Sequence, residues 1–230
     1  MKLMIKEKMI DIFYPETKDR KVPVVILNTY GKEGESVWKE CLQLHTIDFI
    51  LVAISNIDWN NEMTPWKAPN ITKKAPGFTG KADYYLQELE NDIIPKIEKT
   101  IKENYTISYY ALAGYSLGGL FALYSAYKST KFTKIASISG SLWYPNLLEY
   151  IKRENLKPQI KKIYFSLGTK EKESKNKLLQ TVEQNTKEIE NILSPKTNTI
   201  YEENEGTHFQ NPELRTAKGI KWLLEEKKNL

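Results

Sequence analysis

Short, nearly unbroken apolar runs alternate along this chain with longer stretches in which apolar residues return every three or four positions. This is the pattern of a mostly parallel sheet with helices on both faces. The runs at 9–14, 22–28, 49–55, 108–113, 134–139, 162–167 and 197–202 read as strands, several of them β-branched or aromatic throughout and suited to burial on both faces. Helical stripes lie between them. Residues 81–101 place Ala82, Leu86, Leu89, Ile93, Ile97 and Ile101 on one side, with Pro95 expected to kink or break the helix. Residues 174–193 do the same with Leu178, Val182, Ile189 and Leu193, and residues 212–226 with Leu214, Ala217, Ile220 and Leu224. Only 56–80 breaks the rhythm: with Trp59, Trp66, Pro65, Pro69, Pro76 and two glycines it has no usable period and reads as a long irregular loop, of the kind that lines active sites. No repeat or composition shift marks a second domain, so residues 1–230 are expected to form one α/β domain.

Composition changes this picture little. With 40% hydrophobic and 27% charged residues the 230-residue chain can bury one sizeable core, and it is too rich in core formers to be disordered. The net charge of +5 comes from lysine, the only arginines being Arg20, Arg153 and Arg215, which describes a solvated surface better than a reader of nucleic acid. The sole cysteine, Cys41, excludes an intrachain disulfide and clustered-cysteine metal sites. Residues 1–10 interleave lysines and Glu7 with apolar residues, unlike a signal peptide, and no window approaches a membrane span, so a cytoplasmic location is expected.

The chemistry concentrates at Gly114-Tyr115-Ser116-Leu117-Gly118-Gly119, directly after one apolar run and directly before the apolar stretch 120–127. A serine on a sharp strand-to-helix turn has its hydroxyl raised above the strand ends, with a helix N-terminus aimed at any developing negative charge. Flanking glycines let the elements approach; a tightly packed turn without catalysis would use them too. Serine needs a base, and only His45 and His208 are available. His208, in Glu205-Gly206-Thr207-His208-Phe209 between the last strand and last helix, follows the serine in the chain order of the α/β-hydrolase fold, whereas His45 precedes it and reads as a surface or packing residue. The acid should follow the penultimate strand, where Glu171 is the first choice and Glu173 the second. One oxyanion donor is the Leu117 backbone N–H; the other should come from Thr29 or Tyr30, with Gly31 permitting an unusual turn.

On these residues the chain resembles the Putative esterase family of the α/β-hydrolase superfamily, the group with enterochelin-type esterases, esterase D and feruloyl esterases. The likeness runs from about Val22 to the final helix and rests on the elbow, on Glu90-Asn91-Asp92-Ile93-Ile94-Pro95-Lys96-Ile97, on Ser139-Gly140-Ser141-Leu142-Trp143-Tyr144 and on Glu62-Met63-Thr64-Pro65. It implies a serine carboxylic-ester hydrolase working through an acyl-enzyme at Ser116, with His208 as base, Tyr30 and Leu117 as the oxyanion hole, and no metal or organic cofactor. Members that work with a serine–histidine pair alone leave the acid open. Siderophore-type members carry an arginine shortly before the Thr-Pro pair; this chain has Trp59 there, which favours an aromatic wall for a neutral or apolar acyl group. Trp59 and Trp66 on the irregular loop, Trp143 and Tyr144 just past a strand end, and Tyr115 are the expected substrate contacts, with buried packing the alternative for the three tryptophans and Tyr144. The expected partner is a small-molecule ester, with no nucleic acid and no membrane, and homo-oligomerisation is left open. Acyl transfer and thioester cleavage on the same residues, or a non-catalytic binding module of the same fold, are the alternatives.

Overall fold

The computed structural model describes residues 1–16, 21–72 and 76–225. Among them eight strands form one sheet: β1 (Lys2–Ile5), β2 (Lys8–Phe13), β3 (Lys21–Asn28), β4 (Ile50–Ser55), β5 (Thr106–Tyr115), β6 (Phe132–Ile138), β7 (Lys162–Gly168) and β8 (Asn198–Asn204), in the order β1-β2-β4-β3-β5-β6-β7-β8. The pairs from β4 to β8 are parallel, and β1 and β2 are antiparallel additions at one edge. This is the α/β-hydrolase fold. All seven expected strands are present; β1 was not expected, because three apolar residues between Lys2 and Lys6 carry too little pattern.

Parallel strands need crossovers, and helices supply them on both faces. The continuous apolar runs follow from that double cover. In β3, Val24 and Ile26 face one core while Val25 and Leu27 face the other, and Leu112 and Ala113 of β5 divide in the same way. One face is covered by α1 (Gly34–Gln43) and α9 (Pro212–Leu224), whose Val37, Cys41, Ala217, Ile220 and Leu223 join the second core. Burial pushes the Cys41 thiol up to about 12, so it is an inert packing group. The other face carries α3 (Ala82–Glu88), α4 (Ile94–Ile101), α5 (Leu117–Lys128), α6 (Leu147–Arg153) and α8 (Val182–Leu193), whose buried residues belong to the first core.

Pro95 does not break its helix. Leu89–Ile93 forms a π-turn in which the Ile94 N–H reaches the Leu89 carbonyl, and the widened turn passes the missing proline N–H into the first turn of α4. The expected helix at 174–193 is divided into α7 (Lys177–Gln180) and α8, with the Asn176 side chain accepting from the Leu178 N–H at the start of α7. α9 stops at Leu224, and Glu226, expected as its last residue, lies outside the described residues. The 56–80 loop holds one short helix, α2 (Trp59–Glu62), and an isolated Ala68–Phe78 bridge; its residues 73–75 are outside the described ones. No helix among the described residues is long and apolar enough to cross a membrane.

Candidate active site

The chain reverses its direction across the sheet at β3: β4 lies on one side of it and β5 on the other. Open α/β sheets bind ligands outside the carboxyl ends of strands at such a switch point. Residues 29–30 after β3 and Ser116 after β5 emerge there side by side, since Asn28 and Gly114 are paired in register.

Ser116 has φ 57° and ψ −122°, a conformation that L-residues rarely adopt. The turn holds it there: the Ser116 N–H donates to the Ile138 carbonyl at 3.0 Å, while its own carbonyl accepts from Gly119, Leu120 and Ser141. A Cβ at position 114 would come within 2.3 Å of the Gly118 backbone, so the crossing of strand and helix demands glycine. Gly118 in turn leaves room for the Trp59 indole, 3.0 Å from where its Cβ would be.

His208 Nε2 lies 3.1 Å from Ser116 Oγ, and His208 Nδ1 lies 2.7 Å from Glu171 Oε2. A carboxylate only accepts, so Nδ1 carries the proton and Nε2 is free to accept from the Ser116 hydroxyl. Glu171 opens a short 3₁₀ turn, Glu171–Glu173, after β7, and its side chain is only 4% exposed. Its Oε1 accepts from the Gly168 N–H at 2.6 Å and the Ser139 hydroxyl at 2.8 Å, with Arg215 Nη1 at 3.3 Å. Burial pushes this carboxyl up, but the bond and charge of His208 and the donors from Gly168 and Ser139 outweigh it and hold the group below the usual carboxylate range. Glu173, the second choice, lies on the wall of a neighbouring cleft, and His45 is exposed at the end of α1.

Of the two candidates after β3, Thr29 is ruled out as an oxyanion donor because its N–H already donates to the Ile54 carbonyl at 2.9 Å. Among the described residues neither the Tyr30 nor the Leu117 N–H has a protein acceptor. Gly31, expected to permit an unusual turn, has no positive φ, and the Glu33 carboxylate accepts its N–H at 2.9 and 3.1 Å.

Two clefts meet at Ser116, His208 and Phe209. The first, about 360 Å³, is walled by Leu27, Tyr30, Val37, Trp59, Tyr115 and Pro212, and the second, about 590 Å³, by Ile71, Trp143, Leu179 and Val182 with a polar rim. Trp59, Trp143 and Tyr115 therefore border open space beside the serine. Tyr115 has a further role, for its hydroxyl donates to the His208 carbonyl at 2.6 Å. Trp66 and Tyr144 take the packing alternative instead: the Trp66 indole N–H donates to the Pro145 carbonyl at 2.9 Å and its ring packs among Tyr124, Tyr144 and Tyr150, while the Tyr144 hydroxyl donates to the Trp66 carbonyl, both away from the two clefts.

Sequence reasoning missed Arg215, Ser139, Ser141 and Asn28. Ser141 Oγ is 3.4 Å from Ser116 Oγ, and Asn28, buried at the edge of the first cleft, has an amide nitrogen with no partner among the described residues. Ser139 and Ser141 stood in a motif already singled out, whereas nothing in the sequence separated Arg215 from the other two arginines.

The profile of the family described as Putative esterase matches residues 5–212. Uncharacterized protein YbbA of Bacillus subtilis (strain 168) is 30% identical over 176 residues, which cover 73% of this chain and 70% of that protein. An IroE-like serine hydrolase from Shewanella oneidensis superposes with a TM-score of 0.77 at 20% identity, over 94% of this chain and 75% of that one. Siderophore hydrolase EstB from Aspergillus nidulans gives the same TM-score at 17% identity, over 99% and 95%.

Proposed function

This chain belongs to the Putative esterase family, and from that premise we propose that it hydrolyses a neutral carboxylic ester through an acyl-enzyme on Ser116. The observation that carries the reading is the Ser116–His208–Glu171 line, with heavy-atom separations of 3.1 and 2.7 Å. Ser116 Oγ attacks the ester carbon while its proton passes to His208 Nε2. The Tyr30 and Leu117 N–H groups, lacking protein acceptors, receive the oxyanion, helped by the N-terminus of α5. His208 then gives its proton to the leaving alkoxide, and a water deprotonated by the same nitrogen releases the acid. Glu171 holds the imidazole tautomer and stabilises the imidazolium; none of these steps calls on a metal or an organic cofactor.

With a cleft on each side of the nucleophile, acyl and alcohol portions can both be bulky. The siderophore substrate named for EstB belongs to that protein; here Trp59 and the acidic lining of the first cleft point to a group without negative charge. Ser116→Ala is expected to abolish p-nitrophenol release from p-nitrophenyl acetate without loss of the folded circular-dichroism signal, and a fluorophosphonate should label Ser116 alone. Undiminished turnover by Ser116→Ala would refute the assignment.

A further inference from the structure

We infer that Arg215 is a positioning residue of this site: it pairs with the Glu171 carboxylate and ties the loop of His208 to the loop of Glu171. The inference rests on the proposed roles of Ser116, His208 and Glu171. Arg215 lies in the first turns of α9 with its side chain 2% exposed, the largest of the fully buried side chains. A buried guanidinium needs a counter-charge and a full set of acceptors. Its counter-charge is Glu171, with Nη1 at 3.3 Å from Oε1. The same nitrogen lies 3.3 Å from the Tyr115 hydroxyl and 3.4 Å from Ser139 Oγ, and Nη2 donates to the Glu205 carbonyl at 2.8 Å.

These partners come from four segments. Tyr115 immediately precedes the nucleophile, Ser139 directly follows β6, Glu171 follows β7, and Glu205 opens the loop that carries His208. Tyr115 closes the circuit by donating to the His208 carbonyl at 2.6 Å. Gly168 is shaped by the same contact, because a Cβ there would stand 2.9 Å from Arg215 Nη1 and 2.4 Å from the Gly206 carbonyl. No other arginine or lysine among the described residues forms an ion pair with Glu171.

A fixed positive charge behind the acid has a kinetic consequence. With Arg215 present, Glu171 is already neutralised, and protonating His208 leaves a net positive charge in a buried cluster. Without it, a free carboxylate favours the imidazolium, so the resting enzyme takes up its inactivating proton at higher pH. The other charged groups facing the cluster are Glu33 before α1, Lys170 and Glu173 beyond β7, Glu205 in the His208 loop and Glu213 on α9, all at least partly exposed and common to every variant compared.

The test is the pH profile of kcat/KM for p-nitrophenyl acetate with wild type, Arg215→Lys, Arg215→Met and Arg215→Gln, alongside fluorophosphonate labelling of the wild type. The acid limb is expected to move upward by about one pH unit in Arg215→Met and Arg215→Gln, and to stay near the wild-type position in Arg215→Lys, which keeps the charge. A merely structural arginine would lower the plateau and leave the limb in place. Labelling at Ser116 together with an unmoved limb in the uncharged variants would overturn this inference while sparing the proposed function; labelling elsewhere would sink both. Should Arg215→Met fail to fold, Arg215→Gln, which keeps donors for Glu205 and Tyr115, carries the comparison.

Discussion

At Ser116 the backbone and the chemistry make opposite demands. A φ of 57° with ψ of −122° costs a side-chain-bearing residue about 1–3 kcal/mol, and glycine would occupy it freely. Ser116→Gly should therefore be more stable than Ser116→Ala by about 1 kcal/mol after the extra chain entropy of glycine is deducted, or roughly 2–4 °C in Tm, while both are inactive. Equal melting temperatures for the two variants would show that the turn is not strained. This tension was legible in the sequence, because a serine set between Gly114 and Gly118 at a strand-to-helix junction marks a turn too tight for ordinary backbone angles. His208 was legible for a different reason: with two histidines, chain order alone separates them. Arg215 was not, since its neighbours in sequence, Leu214 and Thr216, say nothing of burial, and only the packing of α9 against the loop ends takes the guanidinium out of water. The residues alone left Thr29 and Tyr30 both open, and only the family resemblance pointed to Tyr30; what divides them in the fold is the Ile54 carbonyl on β4, a partner 25 residues from Thr29 in sequence.

Elements were readable in proportion to how much apolar surface they bury. The seven strands with long β-branched or aromatic runs were found, while β1, an edge strand of four residues, and α6, of seven, fell below the pattern that a window can detect. A kink or break was expected at Pro95 because proline removes one bond from an α-helix, but the wider register of the π-turn before it makes that bond unnecessary. The helix it preserves matters to the sheet. From α4, Glu98 Oε1 accepts from the Tyr110 hydroxyl of β5 at 2.8 Å and from Lys131 Nζ, just before β6, at 2.7 Å. Burial alone would raise the Glu98 carboxyl, yet the Lys131 and Tyr110 bonds hold it down at about 2, against 4.5 ordinarily. A carboxyl depressed in the folded state stabilises it fully above the unfolded value and loses that contribution as pH falls through the folded one. Urea unfolding of wild type and Glu98→Gln should thus differ by roughly 1–3 kcal/mol at pH 7, the gap shrinking from about pH 4.5 downward. A gap independent of pH would mean that packing, not ionisation, accounts for it.

The site as a whole is assembled from the loops after β3, β4, β5, β6, β7 and β8, which is why its parts could be named from sequence more readily than its shape. Charge at this scale is set by two different distributions. The chain carries +5 overall, and lysine dominates its surface. The lining of the first cleft runs the other way: it contains Glu33 and Glu213 and neither lysine nor arginine, and among the described residues neither glutamate has an ion-pair partner. Glu33 precedes α1 and Glu213 lies in the first turn of α9. A net charge spread over the surface is screened within about 8–10 Å at ordinary salt, whereas carboxylates on the cleft wall act on a bound acyl group at shorter range. The nearby charges should therefore decide selectivity. Neutral p-nitrophenyl butyrate is expected to exceed the anionic p-nitrophenyl hemisuccinate by about ten-fold or more in kcat/KM, since one like charge a few ångströms away costs about 1–2 kcal/mol in partly exposed surroundings. Glu213→Gln should narrow that ratio by raising turnover of the anionic ester and leaving the neutral one nearly unchanged, because only the charged acyl group feels the carboxylate. An anionic ester preferred by wild type, or a ratio untouched in Glu213→Gln, would place the acyl group in the second cleft, whose rim carries Lys170.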